Sequence, residues 1–202
     1  MGNQMVIGLT GGIASGKSTV AKMFEAYNIV VLYADEMAKD TLQKGSDVYH
    51  KVAKAFKDTL NKKGDIDKSA LARQIFDDEN KRAQLNAIVH PAVKTIIERE
   101  IKALFARGET IVVIEVPLLF ESGFDQLCDH TVVVYADEKT RLSRLIARDH
   151  IDATYAKKKM AAQMPLQEKV KRADTVIDNS ETKEKTQQAF ERFMKNLLNN
   201  TL

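Results

Sequence analysis

An α/β fold, a five-stranded parallel sheet flanked by helices, follows from three observations on the 202-residue sequence. Short apolar runs alternate with stretches whose apolar residues recur every three or four positions, the pattern of strands joined through helices. The first apolar run leads through a glycine-rich turn directly into such a helix. Between the second and third runs lie many more residues than the dozen or so that a parallel crossover needs, so that segment must form structure of its own.

Met5-Val6-Ile7-Gly8-Leu9 is the first strand, and after the turn Val20, Phe24 and Tyr27 make the apolar face of a helix. Ile29-Val30-Val31-Leu32-Tyr33 reads as a second buried strand, ending at Ala34-Asp35. The chain is then mostly helical to about Arg107. Val48, Val52, Phe56 and Leu60 recur every four residues, Gly64 marks a polar turn, and Asp67 is placed to cap a short helix carrying Leu71 and Ile75. Pro91 suits the first turn of another helix, whose face is Val93, Ile97, Ile101 and Leu104, with Gly108 as its terminator. Thr110 to Val116 is a third strand stopped by Pro117, and Thr131 to Tyr135 a fourth, leading into a helix with Arg141, Arg144 and Arg148. After Lys157, Lys158, Lys159 and then Pro165, Thr175-Val176-Ile177 is the fifth strand. Ser180 is a candidate N-cap for a last helix with Ala189, Phe190, Phe193 and Leu197 on one side. Such sheets bind ligands at their carboxyl edge, which makes the long helical excursion the acceptor side of a transferase.

The glycine-rich turn is Gly11-Gly12-Ile13-Ala14-Ser15-Gly16-Lys17-Ser18, followed by Thr19, and it matches the phosphate-binding loop G-x-x-x-x-G-K-[ST] in its proper strand–turn–helix context. Glycines permit unusual backbone angles and close approach of amides to phosphate oxygens. Those amides form a nest at a helix N-terminus carrying about half a positive charge. Lys17 then serves the β- and γ-phosphates and the Ser18 hydroxyl serves Mg²⁺. A nucleoside triphosphate is the expected ligand.

Composition excludes several other classes. A formal net charge of +3 is too small to point to nucleic acid, and Cys128 stands alone, so neither an internal disulfide nor a cysteine-rich metal cluster is expected. No uncharged apolar run approaches membrane-spanning length and no signal-peptide pattern opens the chain, so a cytoplasmic protein without a membrane partner is expected. Asn80-Lys81 is followed by Arg82-Ala83 rather than by a guanine-recognition motif, which argues against a GTP-driven switch.

Beyond the loop, six residues carry candidate chemistry. Asp35, just past the second strand, either acts on an acceptor hydroxyl or holds Mg²⁺ through water, or caps a helix starting at Glu36. Glu115 is an acid inside Ile111-Val112-Val113-Ile114-Glu115-Val116, either the Walker B carboxylate or a strand-end acid paired with a nearby cation. Arg141, Arg144 and Arg148 share one helical face, suited either to a lid that neutralises a transferring phosphoryl group or to a solvated surface; for Arg141 the surface is favoured. His90, before Pro91, is a substrate contact or a polar step into a helix.

Taken together, these residues resemble the dephospho-CoA kinase family over nearly the whole chain. Gly8-Leu9-Thr10 with the loop is similar to the family's opening, and Tyr33-Ala34-Asp35 stands in place of its Asp-Ala-Asp. Leu85-Asn86 with His90-Pro91, Glu115-Val116-Pro117-Leu118-Leu119-Phe120-Glu121, Arg144 with Arg148-Asp149, Gln163, and Ala173-Asp174-Thr175-Val176-Ile177-Asp178-Asn179 follow in the family's order. Ala14 stands where many members have glycine, Tyr33 leaves Asp35 as the remaining carboxylate, and Lys68 replaces an expected arginine.

The resemblance implies transfer of the ATP γ-phosphoryl to the ribose 3′-hydroxyl of dephospho-CoA. Asp35 would act on that hydroxyl, Ser18 and Glu115 would lie at Mg²⁺, and Arg144 and Arg148 would close over the phosphoryl group. Asn179 would lie near the adenine, and the region around His90 would hold the acceptor together with Asp35 and Glu115. The implied organisation is one kinase domain over 1–202, with a core of about 1–35, 108–143 and 174–202, an acceptor region of about 36–107 and a lid of about 144–173. A monomer or weak homo-oligomer is expected. The second hypothesis keeps this fold with a nucleoside, nucleotide or other small metabolite as acceptor.

Overall fold

The computed structural model describes residues 4–76 and 78–199. In chain order, β1 is Met5–Gly11, α1 Lys17–Ala26, β2 Val30–Tyr33, α2 Ala34–Thr41, α3 Asp47–Ala55, α4 Lys68–Phe76 and α5 Glu79–Ala106. These are followed by β3 Ile111–Glu115, β4 His130–Tyr135, α6 Glu138–Asp149, α7 Ala153–Ala161, α8 Leu166–Arg172, β5 Thr175–Asp178 and α9 Lys183–Leu198. The sheet order is β2-β3-β1-β4-β5, and β1 pairs in parallel with both β3 and β4, as β4 does with β5. Helical connections enforce that parallel arrangement, which the alternating sequence pattern already required.

Two compact units result: Met1–Leu32 with Leu104–Leu202, and Tyr33–Ala103. In the first, β1 is central, and Val6 through Gly11 are all buried. Its register puts Leu9 beside Glu115 and Gly11 beside Val134, so the ends of β3 and β4 flank the turn that leaves β1. One face is sealed by α1 and α9, where the Phe24 ring meets Phe190 edge-on at 4.9 Å and Phe193 at 6.1 Å. Such edge-to-face pairs add about 0.5–1.5 kcal/mol beyond the area they bury. The Tyr27 ring also meets Phe190, yet Tyr27 is 42% exposed and lies one residue beyond α1, so it finishes the helix rather than extending its buried face. β2 is half-buried throughout rather than fully buried, as its place at the sheet edge dictates. The last helix is capped by Thr182, whose hydroxyl accepts from the Lys185 amide, and not by Ser180, whose hydroxyl accepts from the Asp137 amide instead.

The second unit is helical. Asp67 does cap α4, its carboxylate accepting from the Ser69 and Ala70 amides. Phe56 is buried but lies past the end of α3, and Leu60 is exposed and bridges Ile66, so the expected four-residue stripe stops at Val52. Pro91 lies inside α5 rather than in its first turn. A proline there removes one helical hydrogen bond and costs about 3 kcal/mol. Against that, Leu85, Val89, Val93, Ile97 and Ile101 are all buried along α5, each worth about 1.5–3 kcal/mol. Pro91 and Ala87, whose carbonyl loses its amide partner, are both exposed, so water serves the orphaned group. Packing outweighs propensity. At the far end Gly108 has φ +98°, its amide donates to Phe105 and the Glu109 amide to Leu104, a glycine-based helix stop.

Candidate active site

The turn between β1 and α1 is closed by hydrogen bonds from the Ser15 amide to the Gly12 carbonyl at 3.0 Å and from the Thr19 amide to the Gly16 carbonyl at 3.0 Å. Of its three glycines only Gly16 uses a positive φ, +95°. Gly11 is required for space instead, and Gly12 leaves room for the end of the Arg141 side chain. A Cβ on Gly11 would lie 2.5 Å from Ser15 Oγ and 2.6 Å from the Val134 carbonyl, and one on Gly12 would lie 2.8 Å from an Arg141 guanidinium nitrogen. The second left-handed residue of the loop is Ala14, at φ +58°, where an alanine costs about 1–2 kcal/mol relative to its ordinary conformation.

Helix α1 starts at Lys17 with no side-chain cap and no acid in its first turn, so its N-terminal dipole is not countered locally. Lys17 Nζ lies 3.4 Å from Glu115 Oε1, at the carboxyl end of β3. Glu115 is 8% exposed, and of its two expected readings the strand-end acid paired with a nearby cation is the one this contact shows. Ser18 is exposed, and Thr19 and Ile13 are half-buried. The Ile13 amide donates to Gln163 Oε1 at 3.1 Å.

Two buried polar atoms here have no hydrogen-bond partner among the described residues, Ser15 Oγ and Arg144 Nη1. A buried donor without a partner costs about 1–3 kcal/mol, so the Arg144 nitrogen has an unmet capacity for a hydrogen bond.

The three arginines of α6 do different things. Arg141 is the one against the loop: its Nε donates to the Ala136 carbonyl at 3.1 Å and its guanidinium lies over Gly12. Burial pushes its pKa down, opposed chiefly by Glu138, yet a guanidinium remains charged. The expectation of a solvated Arg141 is therefore overturned, because spacing places three residues on one face but not which of them the neighbouring loop covers. Arg148 is exposed and pairs with Asp149 at 2.7 Å, and Lys159 pairs with the same carboxylate at 2.5 Å. Hydrogen bonds from Arg148 and then Lys159 hold the Asp149 carboxyl down to about 2.

Asn179, the residue expected near the adenine, is 6% exposed; its amide nitrogen donates to the Ser15 carbonyl at 2.8 Å, and its Oδ1 accepts from the Thr186 hydroxyl at 2.8 Å. These bonds make it a brace of the phosphate loop. A cleft of about 640 Å³ opens beside Gly12, lined among others by Tyr135, Arg141, Gln163, Met164 and Leu166, a size suited to a small-molecule ligand.

In the helical unit, Asp35 is exposed and is the second residue of α2, whose N-cap position is Tyr33. It is not the cap of a helix starting at Glu36. His90 is half-buried in α5, and burial lowers its pKa, which keeps the imidazole neutral at pH 7. Lys169 is buried against the loop after β3 and pairs with Glu121 of that loop; nothing in the sequence pattern singles it out.

A parallel sheet with a phosphate loop after its central first strand, an acid at the end of the next strand and an arginine over the loop define a P-loop phosphotransferase. The dephospho-CoA kinase family profile matches residues 5–185. A dephospho-CoA kinase of Bacillus licheniformis is 46% identical over 177 residues, covering 87% of this chain and 88% of that protein. Among solved structures, a Thermus thermophilus protein superposes with a TM-score of 0.84 at 32% identity, covering 99% of each chain. A dephospho-CoA kinase from Campylobacter jejuni shares the fold at a TM-score of 0.72 and 24% identity, covering 98% of each chain. The chain belongs to the dephospho-CoA kinase family. It is a kinase, and ATP is the donor that membership implies.

Proposed function

We propose that this chain transfers the γ-phosphoryl group of ATP to the ribose 3′-hydroxyl of dephospho-CoA, releasing CoA and ADP. The observation that carries this is the family match over residues 5–185, which runs through the helical unit as well as the loop. A phosphate loop alone would leave the acceptor open.

Phosphoryl transfer asks mainly for positioning and charge neutralisation. The loop amides and Lys17 hold the triphosphate, Arg141 lies over the loop at Gly12, and Arg144 supplies a guanidinium nitrogen with no hydrogen-bond partner among the described residues. Arg148 joins them only by leaving Asp149. Ser18 and Glu115 offer the hydroxyl and carboxylate oxygens that suit Mg²⁺, which when bound would neutralise charge between the β- and γ-phosphates. Asp35 orients or deprotonates the acceptor hydroxyl, and the helical unit around His90 holds the acceptor. The enzyme works in the cytoplasm, as a monomer or weak homo-oligomer.

The test is a panel of acceptors with labelled ATP and Mg²⁺, scored by phosphorylated product, with Asp35→Asn beside the wild type. Dephospho-CoA should be the preferred acceptor, and the variant should lose about 10²–10⁴-fold in kcat if Asp35 acts on the hydroxyl proton. Preference for a nucleoside or another alcohol would overturn the substrate, and a normal rate in Asp35→Asn would remove that residue from the chemistry.

A further inference from the structure

Lys169, in α8, has no exposed surface at all. Its ammonium donates to the Pro117 carbonyl at 2.7 Å and lies 2.9 Å from Glu121 Oε1. Both partners belong to the loop that follows β3, two and six residues past Glu115. Each has a second bond: the Pro117 carbonyl also accepts from the Thr10 hydroxyl at 3.1 Å, and Glu121 Oε1 from the Met164 amide at 3.2 Å. Thr10 is the penultimate residue of β1, and Met164 follows Gln163, which accepts from the loop amide of Ile13 at 3.1 Å.

The segment Gln163–Lys169 is thus fastened at both ends, to the phosphate loop by Gln163 and to the loop after β3 by Lys169. The two loops leave neighbouring strands, one leading into Lys17 and the other starting after Glu115. Stability does not explain the choice of residue. Burial lowers the Lys169 pKa, Glu121 opposes that, and the charge of Lys17 adds to the lowering. Desolvating the Lys169 ammonium is costly, and the exposed Glu121 returns only part of that cost, so the cation is kept for what it holds in place.

We propose that Lys169 is a positioning residue for phosphoryl transfer, tying the loop that follows Glu115 to the segment that engages the phosphate loop, so that both sides of the phosphate site are held in one register. This rests on the kinase function proposed above. Wild-type turnover is therefore measured first, and its absence would fail that function rather than this role.

Lys169→Met keeps length and burial without the charge. It should lower kcat/KM for ATP by about 10–100-fold, the loss expected when reacting groups shift by about 1 Å. The loss should fall on kcat at saturating ATP and dephospho-CoA, measured well below the melting midpoint. Lys169→Arg retains a cationic donor and should recover most of the rate. Gln163→Leu should repeat the defect from the other end of the segment, and Gln163→Glu, which keeps an acceptor for the Ile13 amide, should repeat it less. If Lys169→Met does not fold, Glu121→Gln weakens the same tie with smaller disturbance, and its kcat decides the matter. Wild-type kcat and KM in folded Lys169→Met, or in Glu121→Gln where that variant decides, overturn the proposal. So does a loss equal in the Met and Arg variants that merely tracks the unfolded fraction.

Discussion

Replacing Asn179 separates bracing of the phosphate loop from recognition of a base. In Asn179→Ala the Ser15 carbonyl loses the donor it has at 2.8 Å, in a place where Asn179 itself is 6% exposed. Leaving such an acceptor unsatisfied costs about 1–3 kcal/mol. The Thr186 hydroxyl is less affected, because it also reaches the Thr182 carbonyl at 3.2 Å. A loss of about 2 kcal/mol in a chain of this size lowers the melting midpoint by about 4–8 °C. Asn179→Asp keeps the shape and the bond from Thr186 but turns an oxygen toward the Ser15 carbonyl. That variant should be the less stable of the two at pH 7. It should regain stability on acidification, because a protonated carboxyl can donate where a carboxylate cannot; the sign is that of a buried acid, destabilised as pH rises. The assays are thermal and urea unfolding between about pH 5 and 8, the range in which most proteins are most stable, with steady-state rates for ATP and GTP alongside. A brace predicts lower stability and weaker use of both nucleotides in equal proportion. An unchanged melting midpoint with a changed ATP-to-GTP preference would refute the brace and support the base contact.

The arginines of α6 should rank by their placement. Arg141→Ala and Arg144→Ala should cost more rate than Arg148→Ala, since Arg148 is exposed and paired with Asp149; a well-placed arginine is worth about 10³–10⁵ in rate, and equal small losses in all three would return the face to solvent. Cys128 should resist alkylation: burial and then the charges of Asp125, Asp129 and Asp174 push its pKa up to about 12, so little thiolate exists below pH 9. Iodoacetamide should label the native protein slowly and the urea-unfolded protein fast, and equal rates would contradict that environment.

The phosphate loop was legible because its chemistry is local: eight consecutive residues, with a strand before and a helix after, determine it. Glu115 was legible for the opposite reason, as a charge out of place in an apolar strand. Arg141 was not, because three arginines spaced by three and four share a face, and only the approach of Gly12 decides which is covered. Gln163 and Lys169 meet partners 150 and 52 residues away, distances over which periodicity carries no information. Asn179 was legible as a residue of the site, but its bond to the Ser15 carbonyl was not, since position after a strand does not reveal which way an amide points. In the helical unit Pro91 was taken as a helix start because its local preference is strong, and the five buried residues of α5 override it.

The pairing of Lys17 with Glu115 explains how a site can keep its charges in order before a substrate arrives. At 3.4 Å the pair is longer than the 2.7–2.9 Å usual for a charge-assisted hydrogen bond, so it is held loosely. A triphosphate presents more negative charge to Lys17 than one carboxylate does, and the loop amides and the dipole of α1 add to that attraction, so on the proposed function the lysine exchanges partners. Glu115, almost buried at the end of β3, then offers carboxylate oxygens of the kind that would suit a divalent cation. The same exchange makes the positions of β1 and β3 relative to each other matter to the chemistry. Leu9 and Glu115 are held in register by the sheet, and beyond the last paired residues that register depends on Thr10, Pro117 and Lys169.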